Sequence, residues 1–180
     1  MRSRVMAVLL LVAAGAPAMA QDTPGVEIGA GYAYLRDKNL DDSFPLGWFA
    51  DIAANLSPWL GLVGEASGSY KTVDDFDGFK AKLSVHSLMG GVRLARRGDT
   101  ATAYVQVLAG AARASISIEG QSQSNTDFAV QPGVGFDVRV SDRMAVRIGG
   151  DFRRVYGEND PDFGRSHSDE WRFIAGLVFK

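Results

Sequence analysis

Asp51 and Glu65 stand at equal distances on either side of Pro58, so a hairpin turning there would set the two carboxylates face to face. Facing carboxylates can divide the roles of general acid and general base. An arginine more often bridges them, and Arg93 is the candidate. The pair belongs to a larger set that recurs at alternate positions: the acids Glu27, Asp51, Glu65, Asp137 and Asp151, and the arginines Arg93, Arg139, Arg147, Arg153 and Arg172. Five acids against five arginines predicts a paired network, because a buried charge without a partner is prohibitive.

Other chemistry has thinner support. Nucleophilic catalysis needs a serine and a histidine within hydrogen-bond reach, oriented by an acid. His86 lies on the opposite, apolar parity of its segment, and His167 sits in Ser166-His167-Ser168 within a long polar stretch. No catalytic residue is assigned. Asp74-Asp75-Phe76-Asp77-Gly78 and Glu158-Asn159-Asp160-Pro161-Asp162 are rich in oxygen ligands but lack the twelve-residue calcium-loop spacing, so no metal site is assigned. Gly133-Val134-Gly135 lacks a third glycine and a following helix, and there is no P-loop, so no cofactor is expected. A net charge of -2 argues against a strongly basic nucleic-acid binder, and no nucleic-acid partner is expected.

The elements that must position the charged set are strands. From Phe128 to Phe152 the chain alternates apolar and polar residues with a period of two, broken only by the polar turn Ser141-Asp142-Arg143. The same rhythm predicts eight strands: Val26–Leu35, Leu46–Leu56, Leu60–Tyr70, Leu83–Leu94, Thr102–Ala112, Phe128–Val140, Met144–Arg153 and Trp171–Phe179. Their connections alternate in length. Ser57-Pro58-Trp59, 95–101 and Ser141-Asp142-Arg143 are short; 36–45, 71–82, 113–127 and 157–170 are long and polar. Short turns at one end and long loops at the other are the layout of a barrel in an outer membrane.

The aromatic residues on the apolar face sort by height. Tyr34, Trp48, Tyr70, Phe128, Phe152 and Trp171 fall toward the long-loop end, and Trp59 and Phe179 toward the short-turn end. Two aromatic girdles around an aliphatic band are expected where lipid meets water on both sides. The charged parity would then line a closed interior.

The first twenty residues read as an export signal. Arg2 and Arg4 give the positive region, Val5 to Ala14 the apolar run, and Ala18-Met19-Ala20 a small-x-small cleavage site, with Gln21 beginning a mature domain over 21–180. The apolar run is far short of the roughly 20 residues a spanning helix needs. Cysteine is absent, so the exported fold must be held by packing and its backbone ladder.

With the signal, the eight alternating strands and the ending Phe173-Ile174-Ala175-Gly176-Leu177-Val178-Phe179-Lys180 in view, the chain resembles the small eight-stranded outer-membrane barrels of the OmpA/OmpX type, the outer-membrane β-barrel domain family. The family usually ends in an aromatic residue read by the barrel-assembly machinery; here Phe179 is penultimate and Lys180 last. The resemblance implies an all-β, eight-stranded antiparallel up-and-down transmembrane barrel in a Gram-negative outer membrane, with short periplasmic turns and long extracellular loops. Its implied partners are the lipid bilayer, lipopolysaccharide and the assembly machinery, and the chain is expected to be a monomer. Fold speaks to location more than to activity. The favoured reading is a non-enzymatic structural or surface-interaction protein with a charge-filled lumen. The alternatives are a narrow channel or small-solute binder of the OmpW kind and, more remotely, an outer-leaflet enzyme modifying lipid A.

Overall fold

The computed structural model describes residues 25–38, 42–74, 80–118, 121–157 and 167–180. The predicted export signal lies outside them. The strands are β1 (Val26–Asp37), β2 (Asp42–Phe44), β3 (Leu46–Asn55), β4 (Leu60–Asp74), β5 (Lys80–Arg97), β6 (Ala101–Ile118), β7 (Gln121–Ser141), β8 (Met144–Tyr156) and β9 (Ser168–Phe179). Every pairing is antiparallel: β1 pairs with β3, each strand from β3 to β8 pairs with the next, and β1 closes on β9. The three-residue β2 pairs only with the outer end of β1, so the wall of the barrel has eight strands. Closure leaves no strand edge at membrane depth, which is what a sheet needs where no water can satisfy its backbone.

The stagger follows from the register. Ile28 pairs with Ile52, then Gly64, Gly90, Ala109, Val130, Arg154 and Asp169, whose carbonyl accepts from the Lys38 amide. One circuit therefore returns to β1 ten residues further out, from Ile28 to Lys38. Strand number, shear and tilt are linked, and eight strands leave an interior just wide enough for side chains to fill.

Burial alternates as the sequence period requires. On β7, Gln131, Gly133, Gly135 and Asp137 are buried, and Pro132, Val134, Phe136 and Val138 between them are exposed. Leu88 is 70% exposed, Ile148 62% and Phe136 59%, so many of the large apolar residues lie on the outside. The inside is mixed. Ala53, Val63, Met89, Leu108, Ala112 and Ala129 pack along one wall, Ala33, Phe49 and Ile174 along another, and charged groups fill the space between.

Two of the expected long loops are largely strand. Of 71–82, Lys71–Asp74 and Lys80–Lys82 continue β4 and β5; of 113–127, Arg113–Ile118 and Gln121–Asp127 continue β6 and β7. The reason is a change of face. Within the band, β6 carries Val105 and Val107 outside; further out, its outward residues are Arg113, Ser115 and Ser117, while Ala114 and Ile116 point to the inner side. The period of two continues, but the apolar face crosses over where lipid ends, and a search for outward apolar residues stops there.

Candidate functional site

Four arginines are the centre of the lumen, each supplied by a strand that alternates inward and outward. Arg147 on β8 and Asp137 on β7 face each other in the ladder. Arg147 donates from Nε to Asp137 Oδ1 at 2.7 Å and from Nη2 to Oδ2 at 2.8 Å, a bidentate fork, and its Nη1 donates to Asp51 Oδ2 on β3. Arg93 on β5 donates to the same Asp51 oxygen at 3.1 Å and to Gln106 Oε1 at 2.8 and 3.0 Å. The Tyr104 ring lies near both guanidinium carbons, 4.5 Å from that of Arg93 and 4.9 Å from that of Arg147. Cations over an aromatic face gain most when desolvated, and both arginines are buried here.

A second layer lies further out. Arg172 on β9 reaches Glu65 at 2.7 Å and Asp151 at 2.8 Å. Gln106 and Gln131 tie the layers laterally, donating to Asp151 at 3.4 Å and to Glu65 at 3.3 Å. Above them Arg153 donates to Gln131 at 2.8 Å, to Glu170 at 3.4 Å, and to the Ser67 and Ser87 hydroxyls at 3.3 and 3.2 Å. At the short-turn end Arg97 reaches across to Glu27 and Asn55, each at 2.8 Å.

Nine of the ten charges expected inside are buried. The tenth, Arg139, is exposed: it sits beside the β7–β8 turn, at a shift of register between Arg139 and Ser141, and its amide pairs with Thr100 in the neighbouring turn. Its backbone has the inward parity, but it stands at the rim, where the side chain reaches water. Asp51 and Glu65 do face each other across the hairpin, yet Arg93 does not bridge them: Asp51 goes to Arg93 and Arg147, and Glu65 to Arg172.

Several participants were not singled out from sequence. Arg97 and Glu170 lay in segments read as connections, although each continues the inward parity of its strand. Gln106, Gln131, Ser67 and Ser87 are uncharged and carry no charge-pairing signal, whereas the inner parity of Tyr104, like that of Phe49, is visible in the sequence.

On the outside, Trp48, Tyr70, Phe128, Trp171, Trp59 and Phe179 are exposed, and Tyr34 and Phe152 are half-buried against neighbours. Phe152 packs on Trp171 with ring centroids 5.1 Å apart, and Phe128 on Tyr156 at 6.2 Å. Trp48 donates to the Tyr70 hydroxyl at 3.2 Å, which lies 3.0 Å from His86 Nε2. This chain lies over Gly68, where a Cβ would come within 2.6 Å of Trp48 Nε1. His86 is thus bound to a tyrosine on the outer surface. His167 is exposed just before β9. Asp75 to Gly78 and Glu158 to Asp162, considered above as ion ligands, lie outside the described residues.

A closed eight-stranded wall, apolar outside and charged within, is the architecture of a small outer-membrane barrel. Residues 6–177 match the family described as outer membrane protein beta-barrel domain, and the chain belongs to that family. Among solved structures, it is similar to Neisserial surface protein A, with 12% identity, TM-score 0.66 and coverage of 89% of this chain and 99% of that one. It is also similar to the attachment invasion locus protein Ail of Yersinia pestis, solved with the heparin analogue sucrose octasulfate, at 15% identity and TM-score 0.57, covering 86% and 95%. The N-terminal barrel of Pseudomonas aeruginosa OprF aligns at 16% identity and TM-score 0.53, covering 86% and 95%. Among curated proteins nothing matches. At these identities the structures share the fold, and the fold and the family place the chain in the outer membrane.

Proposed function

We propose that this chain is a non-conducting, non-enzymatic outer-membrane barrel that acts through its outward-facing end. The observation that carries this reading is the layered network across the lumen. Arg147 and Arg172 are fully buried, and they and Arg93 engage acids from several different strands. A hydrated path would have to break charge-assisted bonds at each layer, and leaving one partner of a buried pair unmatched costs about 3–5 kcal/mol. The protruding ends of β4 to β7 give the outward end a surface larger than loops alone would supply.

Residues 1–20 serve as the export signal in this reading, and mature protein starts at Gln21. The exposed aromatic residues at the two ends of the band act as girdles at the lipid–water boundaries. Phe179 is what the assembly machinery reads, and the barrel works as a monomer in a lipopolysaccharide-containing leaflet. Reconstitution into planar bilayers tests closure. The proposal expects a flat current trace across the accessible voltage range. Reproducible unitary steps from the purified barrel would instead establish the channel reading.

A further inference from the structure

Above the Arg153–Glu170 layer the barrel opens into a cleft of about 490 Å³ at its long-loop end. That is within the roughly 300–1,000 Å³ of small-molecule sites. Its two sides differ in chemistry. Leu83, Val85, Ala114 and Ile116 on β5 and β6 form an apolar wall, and Asp37 on β1, Asp127 on β7 and Glu170 on β9 line the rest, with Phe44 and Val155 beside them. Among the described residues that line it there is no lysine, arginine or histidine.

The wall is unusual for its place. It is the inner face of the part of β5 and β6 that rises above the lipid band, where the outer face has turned to Ser84, Ser115 and Ser117. Ile116 is 40% exposed although it points inward. Apolar surface left in water is unfavourable, so an inward apolar face above the membrane is stabilised by whatever covers it. Glu170 shares its charge with Arg153 at 3.4 Å, so the carboxylates of Asp37 and Asp127 decide the sign of the occupant's charge. Asp127 accepts from Asn125 at 2.9 and 3.1 Å and Asp37 from Ser168 at 3.2 Å, which hold both carboxylates in place at the rim.

We propose that this mouth is a binding site for a small amphipathic organic cation, its apolar body against Val85, Ala114 and Ile116 and its ammonium group toward Asp37 and Asp127. Such a site stands whether or not the lumen beneath it conducts. Anionic or sulfated ligands are excluded by the same carboxylates.

The test uses the full barrel in nanodiscs of zwitterionic phosphatidylcholine, titrated calorimetrically with protonated 1-aminoadamantane and with 1-adamantanecarboxylate, empty nanodiscs being subtracted. The two probes share a body and differ in charge. The proposal expects saturable one-site binding of the cation and at least tenfold weaker binding of the carboxylate. Asp127→Asn, nearly isosteric, should weaken the cation severalfold, and Ala114→Trp should abolish binding by filling the cleft. No saturable cation binding, equal binding of the two probes, or cation binding unchanged in both variants would each overturn it. The comparison of the two probes needs no variant and so does not depend on either one folding.

Discussion

Arg147 is held by two carboxylates from different strands, and that sets what each deletion should do. Removing Arg147 leaves Asp137 without its fork and Asp51 with Arg93 alone. Removing Asp137 leaves Arg147 its contact with Asp51. Breaking a buried pair costs about 3–5 kcal/mol, so Arg147→Ala should lie at the top of that range and Asp137→Ala at the bottom. Reversible unfolding in detergent should show the double variant costing clearly less than the sum, because residues in one network couple by about 0.5–3 kcal/mol. Strictly additive losses would mean that the two side chains do not act as a pair. The facing of these two was legible from sequence, since both stand five residues from Asp142. What each would bind beyond its partner was not, because contacts across a lumen depend on closure, and a linear pattern carries no information about it. Gly135 shows the same limit. Its inward parity alone suggests that serine would be mild there. The Tyr104 ring lies directly over it, and a Cβ would sit 2.5 Å from Tyr104 Cζ and 2.9 Å from the Ile148 carbonyl. Gly135→Ser should therefore cost about 1–3 kcal/mol, the usual penalty of overpacking, measured in the same unfolding experiment.

A single strand of this barrel passes through three environments. β7 begins beyond the lipid with Ser122 and Ser124 outside, crosses the band with Val130, Val134, Phe136 and Val138 outside, and ends at the turn after a shift of register between Arg139 and Ser141. Pro132 has no such effect: the pairing from Val130 with Arg154 to Gly133 with Asp151 keeps one register across it, and Pro132 still takes its place opposite Val107. The membrane portion was legible because lipid demands apolar residues at every second position. The outer portion looks like loop in the sequence because water makes no such demand, although the backbone continues its ladder to Ile118 and Gln121. The two regimes predict different tolerance to the same substitution. Val134→Arg should cost about 2–4 kcal/mol, the value for arginine near the bilayer midplane of a barrel. Ser122→Arg, on the same outward face of the same strand, should fall within about 0.5 kcal/mol of the parent, as surface substitutions do. Refolding yield into lipid vesicles and unfolding midpoints would separate them, and equal costs at both sites would place the lipid boundary elsewhere.

The molecule as a whole divides at the height where the apolar face crosses over. Below it, eight strands close with a stagger of ten residues, and every ladder is completed around the circuit. Above it, β4 to β7 stand as a four-stranded extension, because β3 meets β4 only up to Leu46 opposite Tyr70, and β8 meets β7 only up to Tyr156 opposite Phe128. The closed part carries the backbone bonds that the bilayer makes obligatory; the extension is surrounded by water that can satisfy its edges. The barrel should therefore survive loss of the extension. Ser115 pairs with Ser124, and Ala114 with Asn125. Replacing Ser115 to Ser124 by a two-residue turn of the Asn-Gly type would thus close the hairpin in register, with that turn chemistry matching the twist of the flanking strands. The shortened chain should insert into vesicles and keep the difference in gel mobility between heated and unheated samples that marks a folded barrel. It should lose cation binding at the mouth, since Ile116 goes and Ala114 is left at a turn. Failure to insert would show that the extension takes part in folding the barrel rather than standing on it, and the division drawn here between an obligatory lower part and a dispensable upper one would fall.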